Sequence, residues 1–491
     1  MKNKYSYGGG QNTRKINPLF KDIREYNKYL LSLIGIFVLL LSGIISYNYT
    51  NTSYAKWNSS VESKNILKLG VKIPNIDNSG ANAPSLTSNM IPVYYDSTSD
   101  SWKKADSNNA KEANKWYDYD NKIWANAVTV TETNRSTYLN ASVGTTIPMS
   151  DINTMWVWIP RYTYTYLNTN TPQEIKIKFE KGTLSSGTIK CTDAVTGTSS
   201  TSETCTDTTN GGLKAGTSTY THPAFWWDKN DNNVREENEE LTGIWVGKFE
   251  ISSGQIIKPN VTSLRSQTVS QFYTSIYNMR NNGNAFGFKT TDETHMMKNM
   301  EWGAVTYLSH SKYGINKEIA INSANTYTTG CGPQSAGSTS SGSTCNRYTT
   351  ALGQSASTTG NISGVYDMSG GSWEYVMGNM VNSSGAFYSS SAGFSSTPNA
   401  KYYDKYSYDA SSNTTYTRGK LGDATKEMAP VSSSNTSWYS DYASFPSSSI
   451  PWFIRGGYYG NGANAGAFYF SLGDGSAYIG GSSRAVLGVL D

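Results

Sequence analysis

Alternation of large apolar residues with small or polar ones is the clearest local signal in this chain. In "MWVWIPRYTYTYL" (155–167), Trp156, Trp158 and Ile159 stand against smaller or polar neighbours, which predicts a strand. "LTGIWVGKFEIS" (Leu241–Ser252) predicts a second. The period then changes. "SQTVSQFYTSIYNMRNN" (266–282) sets Val269, Phe272, Ile276 and Met279 three or four residues apart, one face of a helix. "DETHMMKNMEWGAVTYLSHSKYG" (292–314) predicts a second helix, capped by Thr291 or Asp292 and burying Met296, Met300, Ala304 and Leu308. Aromatic runs such as "IPVYYD" and "NKWYDYDNKIWANAVTV" predict a few short strands, a small aromatic-rich β region over 91–150 packed on the residues C-terminal to it. After Gly314 the pattern is short strands and long Ser/Gly/Thr loops. The order strand, strand, helix, helix, loop-rich strands, with no internal repeat, predicts an α+β domain over 151–491, with loop insertions near 183–220, 320–360 and 385–450.

One apolar run has no period. "YLLSLIGIFVLLLSGIISY" (Tyr29–Tyr47) carries no charge and is long enough to span a bilayer. Lys2, Lys4, Arg14, Lys15, Lys21, Arg24 and Lys28 precede it, against Asp22 and Glu25. The positive-inside rule then predicts a cytoplasmic basic tail (1–28), a single-pass transmembrane signal anchor (29–47), a polar stalk (48–90) and an extracellular remainder at the cell membrane. The competing reading is a cleaved signal peptide. The length of the apolar run and the poor cleavage site in "GIISYNYTN" weigh against it.

Composition adds two exclusions. Hydrophobic residues make up 37% and charged residues 16%, but 36 Tyr and 13 Trp give enough buriable aromatic area to exclude a disordered chain. A net charge of +4, partly at the N-terminus, gives no reason to expect nucleic acid as a partner. The four cysteines form two local pairs, Cys191 with Cys205 and Cys331 with Cys345, each enclosing a Ser/Thr/Gly-rich stretch. Four cysteines allow three connectivities, and locality favours these two disulfides over zinc, whose ligand spacing is closer.

"GVYDMSGGSWEYVMGNM" (Gly364–Met380) resembles the signature of the formylglycine-generating-enzyme-like (sulfatase-modifying factor) branch of the C-type lectin fold. Gly364, Asp367, Met368, Gly370, Trp373 and Glu374 match it; Gly371-Ser372 stands where Asn-Val is usual, and Tyr375 where a second Trp is usual. Glu301-Trp302 in "NMEWGAV", the strand "TGIWVGKFEIS", Arg455-Gly456-Gly457 and Arg484 in "SSRAVLGV" match further family motifs in the same order, over roughly 155–490. The resemblance implies a C-type lectin fold with structural roles for these residues: Trp302 and Trp373 as core anchors, Arg455 and Arg484 tying loops through several hydrogen bonds.

The same resemblance implies two enzyme classes, for which the residues are missing. The oxidases of this family use paired cysteines late in the chain, and nothing follows Cys345. An iron-dependent branch uses a histidine cluster, whereas His222, His295 and His310 are not at metal-ligand spacing. No phosphate loop or nucleophile elbow occurs, so the expectation is a non-enzyme that requires no cofactor. The calcium loops of sugar-binding lectins are also absent; Lys258-Pro259-Asn260 puts a cation where a carboxylate is needed. A different calcium candidate is "DKNDNNVREENE" (Asp228–Glu239), with oxygens on Asp228, Asn230, Asn232, Glu236 and Glu239 at EF-hand-like positions. It lacks flanking helices, and a solvated acidic loop is the favoured reading; a bound calcium there would be structural.

The C-terminal segment 452–487, "WFIRGGYYGNGANAGAFYFSLGDGSAYIGGSSRAVL", resembles the variable region of diversity-generating-retroelement target proteins. "NGANAGAF" (Asn461–Phe468) is similar to their constant scaffold. Tyr458, Tyr459, Gly460, Tyr469, Ser471, Gly473, Asp474, Ser476, Ala477 and Tyr478 are residue types reachable from Asn codons by adenine changes. With Phe468 they form the expected ligand-binding set. Tyr gives contact area at low entropic cost, and Ser, Gly and Asp adapt their hydrogen bonding. The resemblance implies a surface ligand-binding protein, the partner being an extracellular protein or glycan. A static, undiversified loop of an adhesive or structural protein is the plainer alternative.

Overall fold

A computed structural model describes residues 77–109, 115–184, 191–192, 204–205, 216–227, 229–230, 237–389, 391–410, 416–430 and 435–489. In chain order its main elements are β1 (Ile91–Asp96), β2 (Ser101–Lys104), β3 (Asn126–Val130), α1 (Glu132–Asn140), β4 (Ile152–Pro160), β5 (Tyr162–Thr165), β6 (Ile177–Phe179), β7 (Cys191–Thr192), β8 (Thr204–Cys205) and β9 (Thr219–Thr221). They continue with β10 (Gly243–Gly247), α2 (Val269–Tyr277), β11 (Glu293–Met296), α3 (Asn299–Ser309), β12 (Cys331–Gly332), β13 (Asn346–Arg347), α4 (Ala351–Ser355) and β14 (Trp373–Met380). The last are β15 (Asp404–Tyr406), β16 (Trp452–Gly456), β17 (Gly466–Gly473), β18 (Gly481–Ser482) and β19 (Ala485–Gly488). The fold is α+β, mostly sheet with few helices.

The largest sheet has seven strands in the order β11-β19-β10-β4-β3-β1-β2, with every neighbouring pair antiparallel. Strand β4 forms at the predicted place and is buried on both faces, so its Trp156 and Trp158 have no solvent side. Trp158 is the register partner of Trp245 on β10, and their rings lie 5.2 Å apart. The strands expected between 91 and 150 extend this same sheet rather than forming a separate layer. Residues 77–90 also belong to the body rather than to a stalk. Trp158 and Trp245 donate their indole N–H groups to the carbonyls of Asn82 and Ser85, at 3.1 and 2.6 Å.

A second sheet, β15-β14-β16-β17 with β18 beside β14, carries the C-terminal segment as far as Ser482. Strands β14 and β16 are antiparallel, with Glu374 opposite Arg455. Helix α2 begins with a capping box in which Thr268 Oγ1 and the Gln271 side chain each accept a backbone N–H, and it buries Val269, Phe272 and Ile276 as predicted.

The second helix differs from its expectation. Glu293–Met296 is a strand paired with β19, and helix α3 starts only at Asn299. Backbone pairing to the last strand overrides the helical spacing there. Helix α3 is buried all round, polar residues included: Glu301 accepts the backbone N–H of Lys298 at 2.8 Å and pairs with His295 Nε2 at 2.9 Å.

The single-pass localisation is corrected. Among the described residues no helix is long and apolar enough to cross a membrane. The apolar run Tyr29–Tyr47, with the basic tail before it and residues 48–76 after it, lies outside the described residues.

Candidate functional site

Strand β16 ends at Gly456, and Gly457 follows it; both have positive φ (80° and 69°), a conformation that favours glycine. The chain turns there into a short 3-10 segment, Tyr459–Asn464, before β17. Asn461 pins this segment: its Oδ1 accepts the backbone N–H of Tyr458 at 2.9 Å and the indole N–H of Trp373 at 3.0 Å. The loop after β17 is fixed as firmly. Asp474 Oδ1 accepts the N–H and hydroxyl of Ser476 at 2.9 and 2.6 Å. The carbonyls of Gly475 and Tyr478 accept the N–H groups of Val269 and Ser266 at 3.1 and 3.0 Å.

These two pinned segments bring their aromatic rings together. Tyr478, 48% exposed, lies 5.2 Å from Trp373 between ring centroids. Trp373 lies 4.4 Å from Tyr458, Tyr458 5.0 Å from Tyr459, and Tyr459 4.9 Å from Tyr327. The Arg265 guanidinium sits 3.9 Å from the Tyr327 ring centre and donates to the Ile479 carbonyl at 2.8 Å, next to Tyr478. The run is continuous from Tyr478 to Arg265, which returns to the backbone beside Tyr478; it forms a rim of five aromatic rings and one guanidinium, each exposed or half-buried. Desolvation and the neighbouring Tyr459 push the Tyr327 hydroxyl up to about 12, so it stays a neutral hydrogen-bonding group.

The expected ligand-binding residues divide between this surface and the interior. Tyr458, Tyr459, Gly460, Ser471, Asp474, Ser476, Ala477 and Tyr478 are exposed or half-buried. Phe468, Tyr469 and Gly473 are not on the surface. Phe468 packs against His310 and Trp438 at 4.6 and 4.8 Å, a core position. Tyr469 is buried, its hydroxyl pushed up to about 12 by desolvation. Gly473 lies under Tyr375 and Ile454. Strand alternation explains part of the division: Phe468 and Phe470 share the inward face of β17.

Trp373 departs from its expected role in the opposite sense. It is half-buried on the rim, while its neighbour Glu374 points inward. Trp302 is a core anchor, fully buried, donating its indole N–H to the Ala467 carbonyl at 2.9 Å. Arg455 is buried and donates to Asn299 Oδ1 and to the carbonyls of Asp423 and Ala424, each at 3.3 Å, which ties loops as expected. Asp367 accepts from Asn322 Nδ2 at 2.8 Å and from Gly330 N at 2.9 Å. Gly370 holds φ at 74° and stacks its backbone against Asn322.

Three carboxyl groups crowd behind the rim, Glu250, Asp367 and Glu374, with Arg484 among them. Burial is the largest influence on all three and raises each above its ordinary value. Ser263 and the backbone N–H of Ser372 hydrogen-bond Glu250.

The calcium loop is only partly described. Asp228, Asn232 and Glu236 lie outside the described residues. Glu239 is turned inward, accepting from the Trp226 indole at 3.1 Å and from the backbone N–H of Lys229 at 2.8 Å. Among the described residues no group of three or more His, Cys, Asp and Glu is placed to hold a metal ion. The histidines have separate partners: His222 Nε2 meets the Gly422 carbonyl at 3.0 Å, His295 pairs with Glu301, and His310 packs among aromatic rings. Cys331 and Cys345 form a disulfide, and Cys191 stands opposite Cys205 in the β7–β8 ladder.

Sequence reasoning missed three rim residues. Trp373 carried a core reading from its motif. Tyr327 and Arg265 lie in loops far from the C-terminal segment, with no local pattern to mark them. No family model matches this chain, and no curated protein is similar to it.

Proposed function

We propose that this chain is a ligand-binding protein of the C-type lectin fold, in its formylglycine-generating-enzyme-like branch, and that the aromatic rim is its binding surface. The ligand is a protein or glycan. The observation that carries this reading is the continuous run Tyr478–Trp373–Tyr458–Tyr459–Tyr327–Arg265. Aromatic residues and arginine supply most binding energy in recognition surfaces, and these are held by backbone hydrogen bonds before any ligand arrives. Topology supports the fold assignment: the last strand, β19, lies beside β10 in the sheet that begins the body, while the Trp373 and Arg455 motifs stand on adjacent strands of the second sheet.

The rim also supports a diversified specificity. Tyr458, Tyr459 and Tyr478 are contributed by the C-terminal segment, whereas Trp373, Tyr327 and Arg265 come from outside it. Substituting the first three would change the surface while the scaffold stays constant, as in the retroelement targets that the segment resembles. The reading needs no cofactor.

The test is binding of the full chain to glycan and protein arrays, repeated with Tyr458→Ala and Tyr478→Ala. Saturable binding that both substitutions weaken supports the proposal; binding indifferent to both removes it. Sequencing the codons for 452–487 across a population tests diversification separately. Substitutions confined to template adenines support it, and a uniform segment excludes it.

A further inference from the structure

A cleft of about 650 Å³ opens beside the rim, bounded by Lys317–Ile321, the disulfide-closed loop at Ala336–Thr339, helix α4, Ser369, Tyr439 and Ala465. This volume is in the range of small-ligand sites. Ala465 follows the 3-10 segment that carries Tyr459, so one short stretch of chain separates the cleft from the rim.

Its walls are apolar, from Ile319, Ile321, Ala336 and Leu352. Three features of the polar groups set it apart from an ordinary surface depression. Ser369 is 1% exposed and its hydroxyl meets no hydrogen-bond partner among the described residues, whereas buried hydroxyls are normally paired. Tyr439 is held at φ 61° and Ser440 at φ 68°, a conformation that non-glycine residues rarely take and that clusters at ligand sites. Glu318 stands at the mouth without an ion pair among the described residues. Desolvation raises its carboxyl above the ordinary value, and its charge acts on the Tyr439 hydroxyl across the cleft. Lys317 shares the mouth but offers no acceptor.

We propose that this cleft binds an aliphatic amine, free or as the side chain of a peptide lysine. The methylene chain lies against Ile319, Ile321 and Leu352. The ammonium, which has three protons to donate, finds acceptors in the Glu318 carboxylate and the Tyr439 hydroxyl. The assignment is independent of the rim, since none of these residues belongs to it.

The experiment is calorimetric titration of the full chain with n-hexylamine, n-hexanol and hexanoate, and with N-acetyl-lysine methylamide. Saturable hexylamine binding is expected, about tenfold tighter than hexanol, a gap that one charge-assisted hydrogen bond supplies. Glu318→Gln, at an exposed position, should weaken hexylamine by a similar factor and leave hexanol unchanged. Ala336→Trp, which fills the cleft from an exposed loop, should abolish both. Tighter binding of the lysine derivative assigns the cleft to a peptide side chain, and tighter hexylamine to a free amine; either supports the site. No saturation, hexanol or hexanoate binding as tightly as hexylamine, or hexylamine binding unchanged in both variants, overturns it. Array binding through the rim stands or falls separately.

Discussion

Arg484 donates to both carboxylate oxygens of Glu374, at 2.5 and 3.1 Å, and neither side chain reaches solvent. Its remaining nitrogen donates to the Gly247 carbonyl at 2.8 Å. One guanidinium thus joins the residue beside the rim tryptophan to strand β10. Removing it leaves a buried carboxylate without its cation. Arg484→Met should lower stability by about 3–5 kcal/mol. Replacing both partners together should cost less than the sum of the single changes, and a double-mutant cycle by urea unfolding checks this.

Rim and core tyrosine or phenylalanine positions should separate in stability measurements. Tyr478→Ala removes an exposed ring and should change stability by less than about 1 kcal/mol. Phe468→Ala empties a buried site beside His310 and should cost about 3–5 kcal/mol. Equal losses in thermal unfolding would contradict the division of the segment into surface and core.

Glu427 gives a pH dependence with a definite sign. It is fully buried, accepts from the Tyr307 hydroxyl at 2.6 Å and from the backbone N–H of Gly422 at 2.8 Å, and burial pushes its carboxyl up to about 7 from an ordinary 4.5. Between those values the folded chain holds a proton that the unfolded chain releases. Its contribution to stability is therefore full below 4.5 and is lost as pH rises through 7. Asp404, raised to about 6, acts in the same sense. His310, pushed down to about 3 by burial, acts oppositely, adding stability as pH rises from 3 toward 6.5. Glu427→Gln isolates the first effect. Wild type should lose stability relative to this variant between pH 5 and pH 8 in chemical unfolding; a constant difference would refute the assignment.

The disulfide Cys331–Cys345 closes a loop with a sequence separation of 14 and frames one wall of the cleft. Replacing both cysteines with serine should lower stability by about 3 kcal/mol, through the freedom returned to the unfolded chain. Reduction of wild type should also lower the melting temperature, and the double variant should respond to reductant less than wild type does.

The sequence alone determined the elements whose signal is local. Strands β4 and β10 and helix α2 form where alternation or three-and-four spacing put them, because a repeating apolar face specifies its own backbone period. Pairing of Cys331 with Cys345 was legible for a similar reason: a short intervening stretch keeps the partners close. Tertiary structure decided what depends on distant chain. Residues Glu293–Met296 carry helical spacing, yet they form a strand because β19 offers them a ladder. Residues 77–90 look like a polar stalk, yet their carbonyls accept indole N–H groups from two buried tryptophans. The rim is the strongest case. Tyr458 and Tyr478 announce themselves by composition, but Trp373, Tyr327 and Arg265 come from three other parts of the chain. Which face of a ring meets solvent is set by what packs behind it, and sequence spacing carries no information about that.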